Sequence, residues 1–575
     1  MDRFFGADYY PEHWKEERWE TDFKLMSEAG MNVIRVAEFT WCRMEPEEGM
    51  YDFNWLEMII RLAERYGLKT VLCTPTATPP AWMIEKYKDI LPVNEYGKVF
   101  GFGNRRHYCP NHKVYQEYSR KITHALAECF GKNESVMAFQ IDNELYGATA
   151  CYCSTCRKEF QSWLMRKYKT LENLNQCWGT IFWSQEYSAW SQIPYPDAYV
   201  RQHPSLMLDY MRFLSQSWIG YSNMQAKILR ENAPGKIITT NAYLFRWGDD
   251  IDYSRLFKEL DVYSFDNYSD TMHEGAFYND FARSIKGGKY WILEQRSGCS
   301  GAGQYCYPDE DDRITKYTMQ AYEYGCELLT YFRWRQGLFG QEQNNGAVLD
   351  HDGKTGDYYF AVKEIGKRLK DYNPEPIREK VGIYYDYQDS WARRIAGWNS
   401  YVDYIVNHVY KGLYDAGLNA RFIFSPNDVQ NMELLILPLK LIHSDELAKN
   451  IEYFVKNGGK VLITSDLARK NEYNAFREEK LPEIYRKVLG IDLVKFVNIH
   501  KGFAVSAGEG SNYEALWRCD SVKLGTAKRI ISFTNGPMEG SPAVTENLYG
   551  NGKAYYMAAL FTDKVWTELL TKLII

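Results

Sequence analysis

The stretch Ala138-Phe139-Gln140-Ile141-Asp142-Asn143-Glu144 decides how the rest of the chain is interpreted. The run 136–141 is short and mostly apolar, as in a buried strand, and three polar side chains follow it directly. A strand that ends this way places a carboxylate at the mouth of a sheet or barrel, where α/β enzymes keep their catalytic groups. Many buried strands also end in a polar residue simply because the chain turns into water, so this strand alone indicates little.

A second stretch repeats the pattern. Tyr290-Trp291-Ile292-Leu293 is apolar, and Glu294-Gln295-Arg296 follows it. Two carboxylates at the ends of strands far apart in sequence are the arrangement that glycoside hydrolysis requires. The pair is informative only if both strands belong to one barrel, so the remaining sequence must supply that barrel.

Strand-like and helix-like segments alternate from residue 4 to residue 372, which is typical of a parallel sheet. The sequence predicts eight strands, at 4–7, 32–36, 68–72, 136–141, 236–240, 262–265, 290–293 and 328–332. Eight such units predict a (β/α)₈ TIM barrel as the catalytic domain, residues 1–374, in which Glu144 ends strand four and Glu294 ends strand seven.

Pro374-Glu375-Pro376 reads as a linker, after which the alternation restarts. Strands at 381–385, 420–424, 434–438 and 460–464, with helices at 401–416 and 444–457, predict an open α/β domain over 375–575. From 489 to 562 the sequence becomes β-like.

Composition excludes several classes of function. The 575 residues carry a net charge of -6 and show no basic stripe with interleaved aromatics, so nucleic acid is not an expected partner. No apolar run reaches the length of a membrane helix, and the N-terminus has no signal-peptide core, so we expect a cytoplasmic protein without membrane contact. The aromatic content of 16% fits either large cores or a polar cleft walled with rings.

The sequence resembles glycoside hydrolase family 42, whose best-known members are β-galactosidases. The resemblance covers nearly the whole chain and rests on motifs in family order: Gly6-Ala7-Asp8-Tyr9-Tyr10-Pro11-Glu12-His13-Trp14, Asn104-Arg105-Arg106-His107-Tyr108-Cys109-Pro110, Asn143-Glu144, Glu294-Gln295, Tyr331-Phe332-Arg333-Trp334-Arg335-Gln336 and Asp350-His351-Asp352-Gly353. The second domain resembles the one that the family uses in its trimers, so a homotrimer is expected. The family's small C-terminal β domain is expected to be absent or reduced.

The resemblance implies a retaining double displacement. Glu294 would attack the anomeric carbon, and Glu144 would protonate the departing oxygen and later deprotonate water. Two carboxyl groups about 5 Å apart do not ionise equally, so one pKa should rise and that group should serve as the acid. Asn143 would hydrogen-bond a sugar hydroxyl, the 2-OH group. No catalytic cofactor is implied.

Further positions match family residues that contact the sugar: Arg105, Tyr268 and Glu342. Arg105 could equally be a structural ion-pair partner, and Tyr268 a core ring. Trp334 is a candidate floor of the sugar site, with a buried core Trp as the alternative. Asn345 stands where family members commonly have a His, and Ala302 where they commonly have a Trp.

Those two departures affect the choice of sugar rather than the bond that is broken. The first hypothesis is a β-galactosidase acting on short galactosides. The alternative is the same mechanism on an α-L-arabinopyranoside, β-fucoside or β-mannoside, unless Tyr305 or Tyr307 restores the missing wall.

The cysteines give a second signal. Cys151, Cys153 and Cys156 lie close together, and Cys109 from another loop can complete four thiolates around one tetrahedral Zn²⁺. Many family members carry this cluster, and a site with four protein ligands would be structural. The alternative is a set of free thiols.

Two other classes of protein fit the sequence less well. A carbohydrate-binding protein without catalysis is disfavoured because both Glu144 and Glu294 are present. A metal-dependent barrel hydrolase would need His ligands at strand ends, and the chain has only 10 His, with none at the ends of strands four, six or seven. Asp350-His351-Asp352-Gly353 lacks the later ligands of a calcium loop and reads as a turn.

Overall fold

The structure is a computed structural model, and it describes residues 3–145, 150–200, 202–243, 249–298, 312–398, 400–498, 506–507 and 513–574. The chain forms two compact units. The first comprises Met1–Lys169, Ala189–Arg201 and Arg212–Pro376, and the second comprises Thr170–Ser188, Gln202–Met211 and Ile377–Ile575. Within the described ranges no helix combines the length and the apolar character that crossing a bilayer requires.

The first unit contains the predicted barrel, and the fold class is confirmed. Its parallel strand segments are β1 Phe4–Asp8, β2 Val33–Val36, β3 Lys69–Cys73, β4 Val136–Gln140, β5 Ile237–Thr239, β6 Asn241–Ala242, β7 Tyr263–Asn267, β8 Tyr290–Arg296 and β9 Cys326–Phe332. β1 pairs with both β2 and β9, which closes the barrel on that side. The predicted fifth strand is split at Thr240, so that β5 pairs with β4 and β6 pairs with β7.

Helices connect these strands, as the alternation predicted. They are α1 Glu16–Glu28, α2 Trp41–Met44, α3 Asn54–Arg65, α4 Ala81–Lys86, α5 Lys113–Phe130, α6 Ser154–Tyr168, α7 Leu171–Trp178, α8 Pro204–Asn232, α9 Tyr253–Leu256, α10 Met272–Ile285, α11 Arg313–Glu323 and α12 Asp357–Lys370. Helices α6 and α7 were not predicted, because their apolar residues are sparse and the surrounding Cys, Trp and Pro residues resemble a loop.

The barrel interior is filled below its mouth by apolar side chains from successive strands, as expected for a packed core and not a pore. This layer consists of Val33, Val71, Ala138, Val262, Trp291, Leu293 and Leu328, all nearly or fully buried, with Phe4, Met137 and Ile237 packed against it. The layer separates the polar mouth from the opposite end of the barrel.

The second unit is the predicted open α/β structure followed by β-rich sequence. One sheet has the order β11-β10-β12-β13-β19-β18-β17, with parallel pairing from β11 to β19. The strands are β10 Val381–Tyr384, β11 Ala420–Ile423, β12 Leu434–Leu437, β13 Lys460–Thr464, β14 Ile491–Asn498, β15 Ser506–Ala507, β16 Tyr513–Leu524, β17 Lys528–Ser532, β18 Pro542–Tyr549, β19 Gly552–Met557 and β20 Ala559–Phe561. A smaller sheet joins β14, β15 and β20 to β16.

The helices of this unit pack against the parallel strands. They are α13 Tyr387–Ile395, α14 Tyr401–Tyr404, α15 Lys411–Asp415, α16 Asp445–Lys456, α17 Glu483–Leu489 and α18 Asp563–Ile574. A π-helical turn, Ile405–Tyr410, joins α14 to α15, so this pair forms one helix at the place where the sequence predicted one.

Candidate active site

Glu144 reaches the barrel mouth through a tight turn of the backbone just after β4. Asp142 and Glu144 have φ angles of 55° and 45°, in the left-handed region that residues other than glycine seldom occupy. The turn buries Glu144, which is 3% exposed, and its backbone N–H donates to the Asn241 side-chain oxygen at 2.8 Å. Backbone strain of this kind is concentrated at functional sites.

Two consecutive arginines from the loop after β3 contact the Glu144 carboxylate. Arg106 Nη1 donates to Glu144 Oε2 at 2.8 Å. Arg105 Nη2 lies 3.2 Å from the same oxygen and 3.6 Å from Glu342 Oε1. Arg105 therefore links two carboxylates, one deep and one at the rim. The sequence analysis singled out Arg105 but not Arg106, although the two are adjacent.

Glu294 owes its direction to a β-bulge. Along the β7–β8 pair the register jumps from Phe265↔Ile292 to Asp266↔Glu294, so β8 carries one extra residue at this point. A bulge re-aims the side chains that follow it. Leu293 can therefore pack in the barrel core while the next residue, Glu294, also points inward, with 2% of its surface exposed.

Three donors hold the Glu294 carboxylate. Arg35 Nη1 lies 3.0 Å from Oε1, the Tyr268 hydroxyl donates to Oε2 at 2.7 Å, and Asn241 Nδ2 lies 3.4 Å from Oε1. Arg35 is fully buried and is shared with Asp8 at 2.9 Å. A charged residue inside an otherwise apolar strand was the sequence signal that could have identified Arg35.

The two glutamates and a third carboxyl group, Asp266, form one buried cluster. A carboxylate oxygen from each lies within 4.8 Å of the others. Retaining glycosidases keep their two carboxyl groups about 5–5.5 Å apart, whereas inverting enzymes need about 6.5–9.5 Å to fit a water molecule. The separation of Glu144 and Glu294 therefore suits direct attack by one of them on the substrate.

The pKa values of the two glutamates are shifted in opposite directions. Burial raises the pKa of Glu294 to about 7, with Arg35 opposing the shift and Glu144 adding to it. Burial also acts on Glu144, but Arg105 and Arg106 outweigh it and keep the pKa of Glu144 below its ordinary value. In the substrate-free site the raised pKa thus belongs to Glu294, the reverse of what an acid role for Glu144 requires. Two guanidinium groups at Glu144, against one shared group at Glu294, are the physical reason.

The remaining sugar-contact candidates are Asn143, Asn345 and Trp334. Asn143 lies in the cluster: its side-chain oxygen accepts from Arg35 at 2.6 Å, which leaves its amide N–H groups directed to Glu144 and the cleft. Asn345 follows Glu342 in a turn and is 8% exposed. Trp334 is fully buried and packs edge-to-face on Tyr359, as the core alternative expects, and its role as the floor of the sugar site stays a prediction.

The position of Ala302, together with Tyr305 and Tyr307, lies outside the described residues. The structure therefore leaves the predicted loss of the family's Trp wall as a prediction from sequence.

A cavity of about 490 Å³ adjoins the cluster at Arg105 and Glu342. Its lining includes the aromatic side chains His13, Phe39, Phe102 and Phe339. Phe102 is 57% exposed and Phe339 is 59% exposed, although large apolar rings are usually covered. The cavity has the size and the mixed aromatic and polar lining of a small-ligand site.

The four predicted cysteines meet beside the active site. Their Sγ atoms all lie within 4.8 Å of one another, with Cys109 Sγ at 3.7 Å from Cys153 and 3.4 Å from Cys156. None is in a disulfide. The edge of a tetrahedron with Zn–S bonds of about 2.3 Å is about 3.8 Å, so this donor set fits a metal ion of that size. Cys109 lies three residues after Arg106, and Cys151 lies seven after Glu144, so the cluster connects the two loops that carry these residues.

Comparison with known proteins gives a consistent result. The glycoside hydrolase 42 family model, described as "Beta-galactosidase", matches residues 8–372, and a "Beta-galactosidase trimerisation domain" model matches residues 379–575. A β-galactosidase of Clostridium cellulovorans is 34% identical over 99% of this chain and 88% of its own length, and one of Thermus thermophilus is 33% identical over 99% and 90%. The crystal structure of a β-galactosidase from Bacillus circulans superposes with a TM-score of 0.94 at 29% identity, covering 100% of this chain and 88% of the other.

Proposed function

This chain belongs to glycoside hydrolase family 42 and is a glycoside hydrolase of the β-galactosidase type, and from this premise we propose that it removes terminal β-D-galactosyl residues from short galactosides by a retaining double displacement. The observation that carries the proposal is the buried Glu144–Glu294 pair with carboxylate oxygens within 4.8 Å. Hydrolysis of β-galactoside, α-L-arabinopyranoside, β-fucoside and β-mannoside nitrophenyl derivatives tests it, and we expect the galactoside to have the highest kcat/KM. If a glycoside of another sugar has the highest kcat/KM, Asn345 and Ala302 are the candidate residues for the changed sugar preference.

In this mechanism Glu294 is the nucleophile. The donors from Arg35 and Tyr268 support this role because they stabilise the charged carboxylate and fix the orientation of its plane. Glu144 is the general acid that protonates the leaving oxygen and the general base that then activates water. Asn143, Tyr268, Arg105 and Glu342 are the proposed sugar contacts. Arg105 would exchange its Glu342 and Glu144 contacts for sugar hydroxyls.

The pH dependence follows from the raised pKa of the nucleophile. Only ionised Glu294 can attack, so kcat/KM should increase with pH until it levels above the Glu294 pKa of about 7. Below that value the ionised fraction, and with it kcat/KM, should fall about tenfold per pH unit. Initial rates on a nitrophenyl β-galactoside measured across the neutral range check this. An acid limb near the ordinary glutamate pKa of about 4.3 would contradict it.

The aromatic cavity is proposed to hold a second sugar unit of the substrate, since aromatic faces stack on the C–H faces of sugars. Phe339→Ala should lower kcat/KM for a galactobiose by about 3- to 10-fold, corresponding to about 0.5–1.5 kcal/mol of aromatic contact. The nitrophenyl galactoside should change by less than about twofold. Phe360→Ala, which removes an equally exposed ring elsewhere on the barrel, is the control. Equal losses on both substrates would exclude the cavity as a sugar subsite.

The four-cysteine cluster is proposed to bind a structural Zn²⁺. Four thiolates leave no open coordination position, so the ion would supply no catalytic chemistry, and its role would be to hold the Arg106 loop against the Glu144 turn. Metal analysis of protein purified without added zinc should find about one Zn per chain. Cys156→Ser should lose the metal and lower the midpoint of thermal unfolding, by roughly 2–4 °C for each kcal/mol lost. Cys129→Ser, at an exposed cysteine outside the cluster, should keep both the metal and the midpoint of thermal unfolding. Metal retained in Cys156→Ser would contradict the assignment.

The assembly and location of the protein are also proposals. The match of a trimerisation domain to residues 379–575 supports a division into a catalytic domain, 1–374, and an assembly domain, 375–575, in a homotrimer. Sedimentation of the purified chain tests the trimer. The clustering of four cysteines outside any disulfide supports a reducing, cytoplasmic location, which cell fractionation tests.

A further inference from the structure

Asp266 is a buried carboxyl group that the double displacement described above does not use. It lies in β7, is fully buried, and places a carboxylate oxygen within 4.8 Å of oxygens of both Glu144 and Glu294. Asn241 donates to its Oδ2 at 2.7 Å, while its Oδ1 has no hydrogen-bond partner among the described residues. A buried oxygen in this position needs either a donor or a proton of its own.

The distribution of positive charge distinguishes Asp266 from its two neighbours. Glu144 has Arg105 and Arg106, and Glu294 has Arg35 and the Tyr268 hydroxyl. Within the described ranges Asp266 has no ion-pair partner of its own, only an amide. Ionising three adjacent buried carboxyl groups is unfavourable, so a proton should reside on the group with the weakest stabilisation of its charge. That group is Asp266.

Glu144 gives this proton a destination. A carboxylate oxygen of Asp266 lies within 4.8 Å of one of Glu144, and a proton held between two buried carboxyl groups this close relieves the repulsion between them. Burial, reinforced by Glu294 and Glu144, raises the pKa of Asp266 well above its ordinary value.

We propose that Asp266 holds the catalytic proton in the substrate-free enzyme and passes it to Glu144 when substrate binds. The inference rests on the proposed retaining mechanism. It resolves the conflict noted above, in which Glu144 is ionised before it must act as an acid. When Arg105 turns to the sugar hydroxyls, Glu144 loses one of its two guanidinium partners and can accept the proton from Asp266.

The proton and charge balance closes over a complete turnover. In the first step Glu294 forms a bond to the anomeric carbon, the bond to the leaving oxygen breaks, and that oxygen takes the proton from Glu144, which Asp266 has supplied. Glu294 becomes a neutral ester while Asp266 becomes a carboxylate, so the three groups together keep two negative charges. In the second step water attacks the anomeric carbon, the ester bond breaks, and the water proton returns through Glu144 to Asp266.

Other titratable groups face Asp266 from the surrounding strands and loops. They are Asp8, Arg35, Tyr243, Tyr253, Tyr263 and Tyr268, in addition to the two glutamates. Burial raises the pKa of each of these tyrosines, so they remain neutral hydroxyls through the working range. Asp8 has Arg35 at 2.9 Å. Asp266 is therefore the group best placed to exchange a proton with Glu144.

Asp266→Asn tests the proposal because it preserves shape and removes the exchangeable proton. With a dinitrophenyl β-galactoside, whose leaving group needs no acid, kcat/KM should fall by less than about tenfold. With a methyl β-galactoside it should fall by about 10²–10³-fold, within the range of a general-acid contribution. The alkaline limb of the pH profile should move to lower pH, since Glu144, with its lowered pKa, would then have to hold the proton alone.

Asp142→Asn is the matched control, because Asp142 is another buried carboxyl group at the end of a barrel strand, bound to Thr76 and Tyr108. Any loss in this variant should be equal for the two substrates. Asp266→Glu, which restores a carboxyl group, should recover part of the methyl galactoside activity. Equal losses on both substrates in Asp266→Asn, or no loss at all, would overturn the proposal. Failure of the wild-type enzyme on both galactosides would instead count against the proposed function.

Discussion

Replacing Glu294 by Ala should reduce kcat on every galactoside by at least about 10⁴-fold, because no other group in the cluster can form the bond to the anomeric carbon. The loss should be the same for good and poor leaving groups, since both need the nucleophile. The protein should remain folded, because removing one of three crowded carboxyl groups relieves the repulsion among them, and Arg35 keeps Asp8 as an ion-pair partner.

The assignment of Glu294 can be tested without relying on loss of activity. A 2-deoxy-2-fluoro-galactosyl donor with a good leaving group should slow the second step and leave the sugar attached to the enzyme. Mass spectrometry of peptides should then find the added mass on Glu294. A label on Glu144 or Asp266 would refute the assigned role, and a variant Glu294→Ala that still acquires the label would do the same.

The second large effect concerns Glu144. Glu144→Ala should lower kcat/KM for a methyl β-galactoside by about 10²–10⁴-fold, the usual contribution of general acid–base catalysis. A dinitrophenyl galactoside should still form the glycosyl-enzyme, because its leaving group departs without a proton. The second step should then be slow, since no base activates water. Added azide, which needs no base, should restore turnover and give a β-galactosyl azide.

The opposite response is expected of Glu294→Ala, in which azide would attack the substrate directly and give the α-anomer. Product stereochemistry by NMR therefore distinguishes the two roles. If azide fails to rescue Glu144→Ala while the protein remains folded, Glu144 is not the acid–base group. Arg106→Met serves as a control, since it removes a neighbour of Glu144 but leaves the carboxyl group in place.

The sequence predicted the barrel because its strands are short apolar runs that alternate with amphipathic helices, and this alternation is visible without tertiary information. The two glutamates were found because each directly follows such a run. The cysteines were found through their close spacing, whereas Arg105 was found only through the resemblance to a family, since an arginine in a loop has many roles.

Other features depend on contacts that a linear pattern does not contain. In the sequence, the residues around Thr240 look like one continuous strand. In the structure the strand is split there, and the split brings Asn241 into the cluster. The predicted strand 262–265 places Asp266 just beyond its end, where polar residues are common. Only the two glutamates beside it in the structure indicate a role for it. Trp334 was open to two interpretations because nothing in the sequence around it tells which side of the chain faces the core.

The extra residue in β8 allows two neighbouring residues to face the barrel interior, one to fill the core and one to serve as the nucleophile. In a regular strand, neighbouring side chains face opposite sides, so filling the core at Leu293 would send residue 294 toward the surrounding helices. The direction of the nucleophile therefore depends on the count of residues along the strand: if the same residues paired without the bulge, every side chain would be kept and Glu294 would still face away from the site. Attempts to transplant this active site onto another barrel should carry the irregular strand with it, because an idealised strand with the same residues would fold and be inert.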